Sequence, residues 1–182
     1  MLRQIVGTAS VVIVGTAAAA DVANIEKAGV WFSPQGGALD AVITAVENAQ
    51  ETIDLAAFHF SNKRLAKALI RAKDRGIRVR AVLDKENREK ANSKAELVSD
   101  AGIPVRIDTQ HRTAHNKVIL IDRKTVVTGS LNFDGHADRE NAENTLILTS
   151  GQLTELYRRD FEKHWRHSDD YRAESERTDS CR

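Results

Sequence analysis

From residue 29 onward, short strand-like apolar runs alternate with stretches of helical spacing. Gly29–Phe32 reads as a strand, stopped by Ser33-Pro34-Gln35-Gly36-Gly37. Ala38–Gln50 then places Leu39, Val42, Ile43 and Val46 on one helix face. Thr52–Phe60 is a strand candidate, and Ser61 is the expected N-cap of a basic amphipathic helix closed by Gly76. Ile77–Leu83 alternates like a strand, Glu86–Ala101 reads as a polar helix closing at Gly102, and Ile103–Ile107 as a short strand before a polar loop, Asp108–Thr113. Three strand-like runs follow: Ala114–Asp122, Thr125–Leu131 and Ala142–Thr149. The last helix, Gln152–Trp165, aligns Leu153, Leu156, Tyr157, Phe161 and Trp165. Nothing in composition divides the chain. The pattern predicts a single α/β domain over residues 21–170, a mixed β-sheet flanked by helices, with βαβ units first and hairpin-like strands later. Beyond His167 the chain is polar and expected to be loose, with a flexible tail over 171–182.

The first twenty residues do not fit that domain. Arg3 precedes an uncharged, largely apolar run from Ile5 to Ala17, and Ala18-Ala19-Ala20 offers a small-residue cleavage site before Asp21. That is the layout of a signal peptide spanning 1–20, and the run is short for a membrane span. A periplasmic or secreted location follows as the expectation. A retained N-terminus would instead place the protein at a membrane. The chain carries 27 Lys and Arg against 26 Asp and Glu, so cleavage, which removes only Arg3, leaves it formally neutral. No global basic field advertises nucleic acid; any such site must be a local patch. The single cysteine, Cys181, excludes an internal disulfide and any Cys-rich metal site.

Chemistry concentrates in His115-Asn116-Lys117-Val118-Ile119-Leu120-Ile121-Asp122 and, six residues on, Gly129-Ser130-Leu131-Asn132-Phe133. Residues two apart on a strand share a face, so His115 pairs with Lys117 and Ser130 with Asn132. A hairpin turning on Arg123 and Lys124 would set Lys117 opposite Ser130 and His115 opposite Asn132, about 5 Å apart at Cβ. An imidazole, an ammonium, a hydroxyl and a carboxamide on one patch suit a tetrahedral oxyanion such as phosphate. Strand parity points Asp122 away from this patch and makes it structural. The other histidines, His59, His111, His136, His164 and His167, read as ordinary structural or exposed residues.

The pattern His-x-Lys-x4-Asp-x6-Gly-Ser resembles the HKD motif of the phospholipase D superfamily at every fixed position. With Asn132 included, such a match arises by chance on the order of once per tens of millions of starting points. Trp31-Phe32-Ser33-Pro34, Ile53–Phe60, Arg75-Gly76-Ile77-Arg78-Val79 and Asn141-Ala142-Glu143-Asn144 resemble the family's flanking blocks, so the likeness covers roughly residues 28–165. Within the superfamily the chain is most similar to small exported bacterial endonucleases with one such motif.

The resemblance implies a phospholipase D-like fold and a phosphohistidine route. His115 attacks phosphorus; Lys117, Ser130 and Asn132 hold the non-bridging oxygens; Glu143 orients the histidine; Gly129 and Asp122 serve structure. One imidazole cannot occupy both in-line positions, so a single motif implies a homodimer with a composite active site. No cofactor is expected. Metal is expected to be unnecessary, because two lysines supply the charge and the sequence shows no separate ligand cluster. The resemblance favours DNA as substrate, with RNA beside it. The Ser61–Gly76 helix, bearing Lys63, Arg64, Lys67, Arg71, Lys73 and Arg75, could contact such a backbone or simply be a solvated face. Phospholipid head groups are the alternative substrate.

Overall fold

Residues 24–172 are described by the computed structural model, so the leader expected over 1–20 and Cys181 lie outside the described residues. Eight strands form one mixed sheet: β1 (Lys27–Ser33), β2 (Thr52–Ala57), β3 (Arg78–Asp84), β4 (Val105–Asp108), β5 (Lys117–Ile121), β6 (Thr125–Gly129), β7 (Glu143–Thr149) and β8 (Asp169–Asp170). Their spatial order is β1-β7-β6-β5-β2-β3-β4-β8. Strands β2, β3 and β4 run parallel, and the later strands add antiparallel. The chain thus starts with crossovers and ends with hairpins, as its spacing predicts.

Alternation along the strands sorts side chains into two cores. Ile53, Leu55, Ile119, Ile121 and Val127 face α1 (Ala38–Glu47) and α2 (Lys63–Asp74), which contribute Leu39, Val42, Val46, Leu65 and Leu69. Each such fully buried aliphatic contributes about 1.5–3 kcal/mol. Ala56, Val82, Val118, Leu120 and Val126 face Phe161, Leu153, Tyr157 and Trp165 of α6 (Gly151–His167). The central strands β2 and β5 are buried along almost their whole length, so they read as continuous apolar runs rather than alternating ones.

Several boundaries differ from the expected ones, each for a local reason. Asn62 rather than Ser61 caps α2, its Oδ1 accepting the Arg64 and Leu65 N–H groups, while the Ser61 N–H donates to the Phe133 carbonyl. The polar helix is two short ones, α3 (Glu86–Glu89) and α4 (Ala95–Asp100). Buried Asn87 breaks it: its carboxamide accepts from Phe60 N and donates to the Phe58 carbonyl at 2.5 Å and the Asp84 carbonyl. A short helix, α5 (Ala137–Glu140), was not expected. The segment past His167 is not loose throughout. β8 adds to β4, Tyr171 packs on the core, and Arg172 donates to Ser99 and Asp100. Among the described residues, no helix is long and apolar enough to cross a membrane.

Candidate active site

The turn between β5 and β6 corrects the expected register. Ile121 pairs with Thr125, so three residues, Asp122 to Lys124, form the loop, and Lys117 falls opposite Gly129 instead of Ser130. The cause lies in Asp122. Its carboxylate accepts the N–H groups of Gln50, Glu51 and Thr52 at 2.9, 2.7 and 3.0 Å. Its own N–H donates to the Thr52 carbonyl. That anchoring draws Asp122 and Arg123 into left-handed backbone, φ 52° and 56°, and out of the ladder. Asp122 therefore ties the α1–β2 loop to the hairpin at the end of β5 remote from His115.

At the other end, the ladder stops at Lys117, and His115 sits just outside the strand, exposed. The Lys117 ammonium lies 3.2 Å from both imidazole nitrogens and 3.2 Å from the His115 carbonyl. Lys117 is buried, and that burial pushes its ammonium below its ordinary value, while the negative charges of Glu143 and Asp134 pull the other way. Its Nζ also lies 5.1 Å above the Phe58 ring, which packs against His115 at a centroid distance of 4.5 Å. A desolvated ammonium beside an exposed imidazole is a strong local attractor for a phosphoryl oxygen.

The expected donors arrive by another route than cross-strand pairing. Gly129 has φ 153°, and a Cβ there would come within 2.2 Å of the Asn144 carbonyl oxygen. Only glycine lets the chain leave β6 so close to β7 that the N–H groups of Ser130 and Leu131 share that carbonyl. Leu131 and Phe133 then turn inward, leaving the alternate residues Ser130 and Asn132 less buried. Ser130 Oγ accepts from Asn144 N at 3.0 Å and Asn144 Nδ2 at 3.3 Å, so its own proton is available to another acceptor. Asn132 has its Oδ1 buried with no hydrogen-bond partner, and only its Nδ2 group has the polarity to donate to a phosphate oxygen. Glu143 opens β7; it accepts from Asn141 Nδ2 at 3.0 Å and acts on Lys117 through charge. Among the described residues no hydrogen bond joins Glu143 to His115.

Sequence reasoning missed Phe58, Asp134 and His59. Phe58 stacks on His59 at 4.0 Å as well as touching His115, and His59 reaches Lys90 at 2.5 Å, Glu86 at 3.2 Å and Asp134 at 3.8 Å. His59, Phe60, Ser61, Asn87, Lys90 and Asp134 line a cleft of about 290 Å³ beside this wall. The available signal was position: Phe58–Phe60 extends past the C-terminal end of β2, the edge where sites form on parallel strands. The basic helix α2 is largely engaged elsewhere. Arg64 bonds to Asp40 at 2.5 Å and Arg71 to Glu47, both on α1.

The fold brings together a group of possible ligands that the sequence does not show as a cluster. Asp108, His111, His164 and His167 bring four donor atoms within 4.8 Å of one another, far apart in sequence but adjacent in the fold.

Residues 42–165 match the family model described as cardiolipin synthase, PLD-like domain. A phospholipase D of Rickettsia prowazekii is 41% identical over 126 residues, covering 69% of this chain and 62% of that protein. The human mitochondrial cardiolipin hydrolase is 35% identical over 133 residues, 72% of this chain and 53% of its own. The chain therefore spans about six-tenths or less of the length of these relatives. Among solved structures, a phospholipase D family member, Nuc from Salmonella typhimurium, is 33% identical with a TM-score of 0.77, covering 80% of this chain and 97% of that one.

Proposed function

Because the chain belongs to the phospholipase D-like family, we propose that it is a phosphodiesterase that hydrolyses nucleic-acid backbones, DNA or RNA, through a phosphohistidine on His115. The observation that carries this reading is the exposed His115 imidazole 3.2 Å from the buried Lys117 ammonium, with the proton of the Ser130 hydroxyl uncommitted. A ring nitrogen of His115 attacks phosphorus and the bond to the leaving oxygen breaks. Lys117, Ser130 and Asn132 neutralise and hold the non-bridging oxygens. Water then attacks the phosphohistidine, releasing a phosphomonoester and restoring the imidazole.

Protonating the leaving oxygen needs a second acid on the opposite side of phosphorus, and one His115 cannot supply it. A second copy of the chain, related by a twofold axis, brings a second His115 and Lys117 to the same phosphate. The edge strand β1 supports such pairing, since Val30 and Phe32 are 53% and 59% exposed there, and Phe32 lies opposite Asn144, the partner of Ser130. In the dimer, Glu143 is free to orient an imidazole that it does not reach within one chain.

The cleft beside Phe58 mixes apolar surface with the polar groups His59, Lys90 and Asp134, which offer partners to a nucleotide backbone. Lys90 on that cleft offers a cation to a backbone phosphate. The lipid reading has the relatives' names in its favour and predicts head-group release. Plasmid DNA, a single-stranded RNA and phosphatidylcholine–cardiolipin vesicles incubated in parallel with wild type and His115→Asn separate the two. Nicking or degradation that disappears in the variant is the expected result. Head-group release without nucleic-acid cleavage would replace this proposal with the lipid one.

A further inference from the structure

Three histidines that the proposed chemistry leaves unused converge on one carboxylate. Asp108 ends β4 and is 0% exposed. Its Oδ1 accepts the N–H groups of Gln110 and His111 at 3.1 and 3.2 Å. Its Oδ2 faces His164 Nδ1 at 2.7 Å, His111 Nδ1 at 2.9 Å and His167 Nε2 at 3.1 Å. The three ring centroids lie 4.9, 5.2 and 5.2 Å apart, close to an equilateral triangle. We propose that Asp108, His111, His164 and His167 form a tetrahedral binding site for a divalent transition metal ion, zinc above all.

Hydrogen bonding alone accounts poorly for this arrangement. The carboxylate offers about four lone-pair sites, and five N–H groups converge on it, two from the backbone and three from imidazoles, that of His111 lying against both Oδ1 and Oδ2 at 3.1 and 2.9 Å. A metal ion reverses the demand, because each imidazole then presents a lone pair and no proton. Bonds of about 2.0–2.1 Å place neighbouring tetrahedral donors about 3.4 Å apart. The distances to Oδ2, 2.7, 2.9 and 3.1 Å, need to open by about 0.3–0.7 Å, and the widest donor pair, up to 4.8 Å, to close by about 1.4 Å, which imidazole rotation supplies. Three nitrogens and one carboxylate oxygen form a donor set that zinc accepts, and His164-x-x-His167 presents two of them from one helical turn.

The surroundings also suit a cation. His164 Nε2 lies 3.5 Å from Asp160 Oδ2, the outer carboxylate that metal-bound imidazoles commonly use on their second nitrogen. Asp169, at the rim, accepts from Thr109 at 2.7 Å. The cluster sits in the last turn of α6, where the helix carbonyls concentrate negative potential. Two cations near the cluster are directed at backbone carbonyls and not at the four donor atoms: Lys85 at that of His111, at 3.3 Å, and Arg106 at that of Trp165. His111 is about half exposed and leaves an entry path.

The ion would be structural. β4 is three strand positions from β5, about 14 Å, so the ion does not touch the scissile phosphate. It instead pins the end of α6 to the segment running from Asp108 into His115. The far end of that segment is already held by the Ala114 N–H on Asp84 Oδ2 at 2.6 Å.

The test strips the full chain with a chelator and titrates it with Zn²⁺ by calorimetry and with Co²⁺ by visible absorption, with circular dichroism following the fold. Expected are one equivalent of Zn²⁺, a higher melting temperature when loaded, and the intense absorption of four-coordinate Co²⁺. His164→Gln and His167→Gln should each weaken binding at least ~100-fold, and Asp160→Asn ~10-fold. His136→Gln, outside the cluster, should leave it unchanged. If the α6 variants do not fold, His111→Gln at the exposed rim carries the same expectation. Wild type without saturable Zn²⁺ binding, or binding indifferent to these glutamine variants, would overturn the proposal.

Discussion

Replacing Asp122 with Ala separates the architecture of this hairpin from the chemistry at its other end. In the folded chain one carboxylate accepts three backbone N–H groups, from Gln50, Glu51 and Thr52. Charge-assisted bonds of this kind contribute about 1–1.5 kcal/mol each when water can reach the orphaned donors. Gln50 and Glu51 are exposed and Thr52 is half-buried, so water compensates the first two in part. The left-handed conformation of Asp122 itself, φ 52°, adds a cost for alanine that aspartate tolerates better. Together these give a loss of about 3 kcal/mol, or ~6–12 °C in melting temperature for a domain of this size. Asp122 lies five positions along the strand from Lys117, roughly 16 Å, which is too far for the carboxylate to act on the phosphate. Urea unfolding and differential scanning calorimetry should therefore show the loss, while turnover per folded molecule, measured well below the transition, stays within about threefold of wild type. A fall of a hundredfold or more in turnover with unchanged stability would refute the reasoning and make Asp122 a participant in the reaction.

Other outcomes follow from the same geometry. His115→Asn should abolish phosphodiester cleavage with an unchanged melting temperature, and activity within tenfold of wild type would remove the nucleophile assignment. Mixing wild-type chains with an excess of His115→Asn chains under exchange should depress activity below the wild-type fraction, because each mixed dimer has one histidine; activity strictly proportional to wild-type chain would argue for a self-sufficient monomer. Burial lowers the Lys117 ammonium, so turnover should decline on the alkaline side below the ordinary lysine value of 10.5, as the charge that holds the phosphate is lost. Stability moves oppositely. The folded state releases this proton before the unfolded one does, so the penalty of burying the charge shrinks as pH rises between the lowered value and 10.5. Lys117→Met should therefore be inactive yet more stable than wild type at neutral pH, with the difference narrowing at high pH; a variant less stable than wild type at pH 7 would contradict this. Gly129→Ala should lower stability by several kcal/mol and activity with it, since its Cβ meets the Asn144 carbonyl at 2.2 Å; an unchanged melting curve would show that the β6–β7 junction can give.

Much of this was written in local order along the chain. Period-two and helical spacing determine the α/β succession, because a strand or helix that buries one face must repeat its apolar positions at that period, as Ile77–Leu83 and Gln152–Trp165 do. The set proposed to act on phosphate, His115, Lys117, Ser130 and Asn132, was legible for a different reason: such chemistry needs those groups at fixed offsets on two adjacent segments, and fixed offsets survive in sequence. Their exact pairing was not legible. The register depends on where Asp122 finds donors, and these come from residues 50–52, seventy positions away, which no spacing rule relates to the hairpin. Phe58 and Asp134 joined the site only when parallel β2 ended beside β5 and the Phe133 bridge closed the cleft. The four-residue cluster is the clearest case. Asp108 and His111 lie more than fifty residues from His164 and His167, and they meet because α6 crosses back over the sheet to bury Phe161 and Trp165 against β3 and β5. Sequence determines what each segment can bury, whereas the meeting of distant polar groups is decided by where that burial leaves them.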